Sequence, residues 1–432
     1  MKLTPSSRLC ALGSILLVAL TICAHSFGRM GAPAFLIPLG VAGIAYLLAI
    51  REFLTTPRFP RHVIVFGLVL AAVWQFVFFL KSPGADDDIH RYVWDGRVQR
   101  LGYNPYLLIP SDPALIALHT VETRTLNHPD LPTPYPPGAE LFFRAITAIH
   151  ESVFALKAAF VVCAWTIVLV LLDLLRRSGE PEHWVLAYAW HPLLAIEVAG
   201  SGHIDIVGAL LLLMSAAALA RRWRPVAALA FALAVAVKFL PIVLIPLYWR
   251  RVRFRDVVLA VSIFILLYIP FLNHGRVPTG SLGAYIKNFR FNGPVFAAIE
   301  RLTTPPVAAA VAVLIGFLVA ICIRVRSAHS TSRAFAWPMA ASLVCAPVIY
   351  PWYLLWMLPF LRSFPTLPII VWTASIIPAY YVWHLRALGQ PWLVPGWALW
   401  LEYGSVAAAA AWIGLRAIRR KTSTRMSADH SS

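Results

Sequence analysis

The chain has 432 residues, 60% of them hydrophobic and only 13% charged. Soluble domains carry about a quarter charged residues, so this composition excludes one and points to a polytopic membrane protein. The formal net charge of +18 does not signal nucleic acid, because the basic residues gather in short loops between apolar runs.

In chain order, Leu9–Ser26 follows Lys2 and Arg8 as a signal peptide would, and the many later runs favour an uncleaved anchor. Ala32–Ile50 and His62–Leu80 come next, and then a long polar stretch, Lys81–Glu151. Further apolar runs occupy Ser152–Leu175, Ile204–Ala220, Val257–Leu272, Pro305–Ile323, Leu367–Trp383 and Pro395–Leu415. Most are long enough for a ~30 Å hydrocarbon core. Arginines cluster at 51–61, 176–177, 221–224, 250–255, 324–333 and 416–420. The positive-inside rule makes those loops cytoplasmic. Both termini then lie inside, and Lys81–Glu151 and Asn273–Pro294 are outer loops. The five cysteines fall in apolar runs and read as free buried thiols.

Pro225–Tyr248 is one apolar run flanked on both sides by arginines, so it must enter the membrane and return. Each arm has about 12 residues, or ~18 Å of helix, roughly half a bilayer. Lys238 sits at the bend, and Pro241 breaks the helix just after it. Cys345–Pro359 repeats this pattern before Arg362. Broken hairpins persist at membrane depth only where they are buried or line a polar cavity. The expected fold is all-α, with about 12 to 14 transmembrane or half-membrane helices in a single domain over 1–417. A basic tail, 418–432, is expected to be disordered.

Three polar groups stand out. GADDDIHRYVWDGRVQRLGYNPY (84–106) contains a short helix over Asp87–Arg100, ended by Gly102 and Asn104-Pro105. Asp87 with Arg91, and Arg91 with Asp95, have i,i+4 spacing for ion pairs. An N-terminal cap accounts for one or two of the aspartates; three together also suit cation binding or proton transfer. EVAGSGHID (197–205) puts Glu197, His203 and Asp205 near membrane depth, where ionisable groups are costly and point to function. His203 and Asp205 are two apart, so a loop or cap must turn both toward one site. Lys238 is suited to hold an anion at a cavity floor, with Arg91, Arg97 and Arg100 able to reach it from the loop above. Among aromatics near outer boundaries, Trp94, Tyr135, Tyr350 and Trp352 are candidates to stack on a sugar, against a background of ordinary interfacial residues.

These segments, followed by NHPD, TPYPPGAELFF, SGHID, VKFLPIVLIP and YPWYLLWMLP, resemble bacterial members of the GT-C glycosyltransferase superfamily over about Gly84–Pro359. The similarity is greatest to polyprenyl-phosphate-mannose-dependent mannosyltransferases. The resemblance implies an enzyme that moves a sugar from a polyprenyl-phosphate carrier to an acceptor hydroxyl of a glycan or glycolipid on the outer face of the cytoplasmic membrane. It also implies a catalytic carboxylate in the first large outer loop, which falls on Asp88 or Asp87, with Asp88 favoured. Asp88 as base, and Lys238 with Arg97 and Arg91 as phosphate holders, form a minimal set giving inversion. Asp87, His203 and Asp205 are left to position the acceptor or bind Mg²⁺ or Mn²⁺. A secondary transporter, with its own broken helices, and a flippase or ligase for lipid-linked glycans are the rival classes.

Overall fold

The computed structural model describes residues 3–85, 88–326 and 333–429. Asp87 lies outside the described residues, so its expected catalytic role has no structural counterpart here.

The helices are α1 (Pro5–His25), α2 (Pro33–Thr55), α3 (Arg61–Phe79), α4 (Asp88–Arg100), α5 (Pro137–Ile149), α6 (Val153–Ser178) and the short α7 (Val185–Ala189). They continue with α8 (Asp205–Ala220), α9 (Arg224–Val237), α10 (Phe254–Tyr268), α11 (Leu282–Asn288), α12 (Pro294–Glu300) and α13 (Pro305–Arg326). The last are α14 (Arg333–Leu343), α15 (Leu367–Ser375), α16 (Tyr381–Ala387) and α17 (Gly396–Asp429). The backbone of 418–429 continues α17, where the sequence reading expected an irregular tail. Among the described residues, eight helical stretches are long and apolar enough to cross a membrane, and three shorter apolar helices accompany them. This is an all-α integral membrane protein.

Local chemistry sets the boundaries. Ser152 caps α6 by accepting from the Ala155 amide at 3.1 Å, and Gly179, in the left-handed region, ends that helix. Lys157, buried on α6, donates to the carbonyls of Phe79 at 2.9 Å and Lys81 at 2.6 Å. A cation at that helix end satisfies otherwise orphaned carbonyls and fixes the chain that leads into Asp88. On α13 a stripe of Ala308, Ala312, Gly316 and Ala320 is buried, and such small residues let neighbouring backbones approach closely.

The re-entrant hairpin is present. α9 ends at Val237, Lys238 is extended, and a tight 3-10 segment (Leu240–Tyr248) returns. Arg222 and Arg224 before the hairpin and Arg253 and Arg255 after it line one cavity, so both arginine clusters reach the same end of the bundle. Other basic loops join them there: Arg221 pairs with Asp173, Arg362 lies 3.7 Å from Glu180, and Arg324 donates to the Trp249 carbonyl at 2.9 Å. The second short pair also forms. α14 is followed by a turn and then by 3-10 segments at Pro351–Trp356 and Leu358–Phe360.

Candidate active site

α4 begins at Asp88, and its carboxylate faces three other segments. The Asn127 side-chain amide donates to Oδ1. The Tyr135 hydroxyl donates to Oδ2 at 3.4 Å, and His203 Nδ1 lies 3.7 Å from the same oxygen. Burial pushes the Asp88 carboxyl above its ordinary range, while the Asn127 hydrogen bond and the charge of Lys238 oppose that rise. Asp205 adds to it.

The 197–205 motif buries both His203 and Asp205. A wide helical turn (Leu194–Ser201) ends at Gly202, whose φ of +81° suits glycine. A Cβ there would meet Ile89 Cδ1 at 2.4 Å, so the turn packs directly on α4. The bend releases His203 in one direction and starts α8 with Asp205 in the other. His203 Nε2 is 3.0 Å from one Glu197 oxygen, and the Tyr380 hydroxyl donates to the other. Lys238 Nζ is 2.8 Å from Asp205 Oδ1 and 3.9 Å above the Tyr353 ring. Trp356 Nε1 donates to the same Asp205 oxygen at 2.7 Å.

One cavity of about 750 Å³ collects these groups. Asp88, Arg91, Asn127, Tyr135 and Lys238 give it a polar end, and Tyr350, Trp352 and Trp383 an aromatic wall. An apolar wall is formed by Leu240, Ile242 and Val243 of the hairpin facing Ala309, Ala312 and Val313 of α13, and His128, Arg290 and Arg386 also line the cavity. Phe291, Tyr350, Trp352 and His203 stack in series, with ring centroids 4.5, 4.3 and 4.0 Å apart. His203 and Asp205 do not line the cavity. His203 stacks on Trp352 and Asp205 pairs with Lys238, and Trp352 and Lys238 both line it.

Two further expectations need correction. Arg97 is nine residues from Asp88, which puts it roughly 180° around the helix. It donates to the Leu118 carbonyl at 2.7 Å and pairs with Glu151 at 2.5 Å, and Arg100 holds the other Glu151 oxygen at 2.8 Å. Neither arginine lines the cavity. Trp94 stacks on His119, with centroids 4.1 Å apart, inside a satellite cluster with Val98 and Leu126.

Arg91, three residues from Asp88, does reach the cavity. Its Nε lies 3.0 and 3.1 Å from the Asp95 oxygens and its Nη1 donates to the Leu131 carbonyl at 3.0 Å. Its Nη2 has no hydrogen-bond partner among the described residues. Behind this pair Glu140 accepts from Thr133 at 2.6 Å and from Gln99 at 2.8 Å. Burial, then the adjacent Asp95, push the Glu140 carboxyl well above its usual range.

Asn127 and the Asp95–Glu140 pair escaped the residue-by-residue reading. NHPD, which contains Asn127, marked a turn, but a ligand to Asp88 thirty-nine residues away has no local signature. Among the described residues no three metal-ligating side chains converge. Asp205 is committed to Lys238 and Trp356, and no step is routed through a metal.

No curated protein matches this chain. Among solved structures, the crystal structure of ArnT from Cupriavidus metallidurans bound to undecaprenyl phosphate matches at 14% identity and a TM-score of 0.44. That match covers 83% of this chain and 72% of the ArnT chain. The family model of the alpha-(1->6)-mannopyranosyltransferase N-terminal domain (MptA_B family) matches residues 12–252, a span holding Asp88, Arg91, His203, Asp205 and Lys238. Such a match sets the transporter aside. The chain belongs to the alpha-(1->6)-mannopyranosyltransferase family and is a membrane glycosyltransferase.

Proposed function

We propose that this protein transfers mannose from a polyprenyl-phosphate-linked donor to a hydroxyl of a glycan or glycolipid, with inversion at the anomeric carbon. The reaction would take place on the face opposite the arginine-rich loops, the extracytoplasmic face of a cytoplasmic membrane. The observation that carries this reading is the two-part cavity, in which Asp88, Arg91 and Lys238 meet a wall of Leu240, Ile242, Val243 and Val313. A phosphate bearing an isoprenoid chain needs that combination, and a soluble nucleotide-sugar does not.

In this mechanism Asp88 accepts the proton of the acceptor hydroxyl as its oxygen attacks the anomeric carbon. The bond from that carbon to the phosphate oxygen breaks, and its electron pair leaves with the phosphate. Phosphate is a good leaving group, so no acid is needed to protonate it. This differs from glycoside hydrolysis, where two carboxylates divide the acid and base roles. Arg91 and Lys238 stabilise the growing phosphate charge. Lys238 contributes less than a lone cation would, because Asp205 holds it at 2.8 Å. Tyr350 and Trp352 present ring faces to the sugar.

The test uses the purified protein in bilayers with synthetic polyprenyl-phosphate-mannose and a mannoside acceptor. Release of polyprenyl phosphate together with an inverted linkage in the product supports the reading. Transfer from GDP-mannose with no turnover of the lipid donor refutes it.

A further inference from the structure

The hairpin that carries Lys238 has a second charged end, which the transfer reaction does not use. At the far end of α9, Arg222, Arg224, Arg253 and Arg255 line a separate cavity of about 260 Å³. They come from two loops, the α8–α9 turn and the stretch entering α10. The one carboxylate lining it, Asp256, is buried and committed to the backbone. Its Oδ2 accepts from the Arg253 amide at 2.9 Å, and its Oδ1 is 3.8 Å from Arg255 Nε. The cavity is therefore strongly positive. Topology alone asks only that arginines lie on this side of the membrane, not that four converge on one space, where like charges repel. Arg222 also takes a φ of +58°, a left-handed conformation that glycine or asparagine adopts more easily.

The surroundings point to a lipid. Trp223 is 59% exposed, Trp249 69% and Phe254 83%, and all three flank the arginines. The Arg221 guanidinium lies 5.6 Å over the Trp223 ring. Exposed Val226 on α9 and Val257, Val258 and Val261 on α10 continue from the cavity along the outside of the bundle. Exposed tryptophans beside an apolar helix face mark the headgroup level of a bilayer. We infer that this cavity seats the phosphate of an anionic phospholipid, with its acyl chains lying along α9 and α10. Guanidinium groups suit it because each can present two N–H donors to one phosphate. This site is independent of the donor site, because it lies at the opposite end of the hairpin from Lys238.

Native mass spectrometry of the whole protein, released from phosphatidylcholine nanodiscs containing a minor fraction of phosphatidylglycerol, tests the inference. The wild-type chain should retain phosphatidylglycerol, and R222Q/R224Q/R253Q/R255Q should lose it roughly ten-fold, as expected when several charge-assisted contacts go. The four-lysine variant should retain an intermediate amount, since charge without the planar fork binds less well. Should the four-glutamine variant fail to fold, R222Q/R224Q and R253Q/R255Q separately should each show a partial loss. Equal retention by wild type and the glutamine variants would overturn the site. Displacement of the lipid by millimolar inorganic phosphate would overturn its assignment to a lipid.

Discussion

Lys238 and Asp205, thirty-three residues apart in sequence, form an ion pair of 2.8 Å between the bend of a half-membrane hairpin and the first residue of α8. Asp205 is fully buried and Lys238 only partly so, which makes the carboxylate the more vulnerable partner. Lys238→Met would leave Asp205 with Trp356 alone, and breaking such a pair costs about 3–5 kcal/mol. The double variant Lys238→Met with Asp205→Asn should recover most of that stability without recovering sugar transfer. Thermal unfolding in detergent, run beside a transfer assay, checks both parts.

The Asp88 carboxyl is raised chiefly by burial and lowered by its hydrogen bond from Asn127. A base works only when deprotonated, so turnover should rise with pH along a limb centred above the ordinary carboxylate range. Asn127→Ala removes a bond that favours the carboxylate, which moves the limb to higher pH. A pH profile of kcat for the two proteins reads this directly, and a shift toward acid would count against Asp88 as the titrating group.

Gly208 sits one helical turn after Asp205. A Cβ at this position would lie 1.9 Å from Trp356 Cη2. Gly208→Ala therefore forces the indole aside and weakens its 2.7 Å bond to Asp205. Overpacking of this kind costs about 1–3 kcal/mol. A lower Tm with altered tryptophan fluorescence is the expected outcome.

Arg91 and Arg97 belong to one helix but should separate cleanly. Arg91→Lys keeps the charge but loses the Nε contacts to Asp95 and the Nη1 bond to the Leu131 carbonyl that hold the side chain at the cavity, so the donor KM should rise roughly ten-fold. Arg97→Gln should change kcat/KM less than about two-fold, because its partner Glu151 stays held by Arg100. Steady-state kinetics with the lipid donor distinguishes them.

Much of the fold was legible because bilayer thickness and loop charge act on whole segments. The apolar runs from Leu9 to Leu415 and the hairpin bend at Lys238 were read that way. The Arg91–Asp95 pair followed from helical spacing. Arg97 lies off the cavity because its position nine residues after Asp88 on α4 reverses the helix face, a phase that residue type alone does not show. An aromatic at an outer boundary, such as Trp94, looks the same in sequence whether it faces a cavity or packs on a neighbour such as His119. Asn127 beside Asp88, and Asp205 beneath Lys238, are long-range contacts made by folding a Pro-rich loop and two half-helices together, and no local pattern encodes them.

The most direct measurement is single-turnover transfer by Asp88→Asn in bilayers, with binding of the polyprenyl-phosphate-mannose donor followed in parallel. Loss of the base should lower the transfer rate by roughly 10²- to 10⁴-fold while donor affinity stays near the wild-type value. Transfer at the wild-type rate would contradict the account, and so would a variant whose defect lies wholly in donor binding.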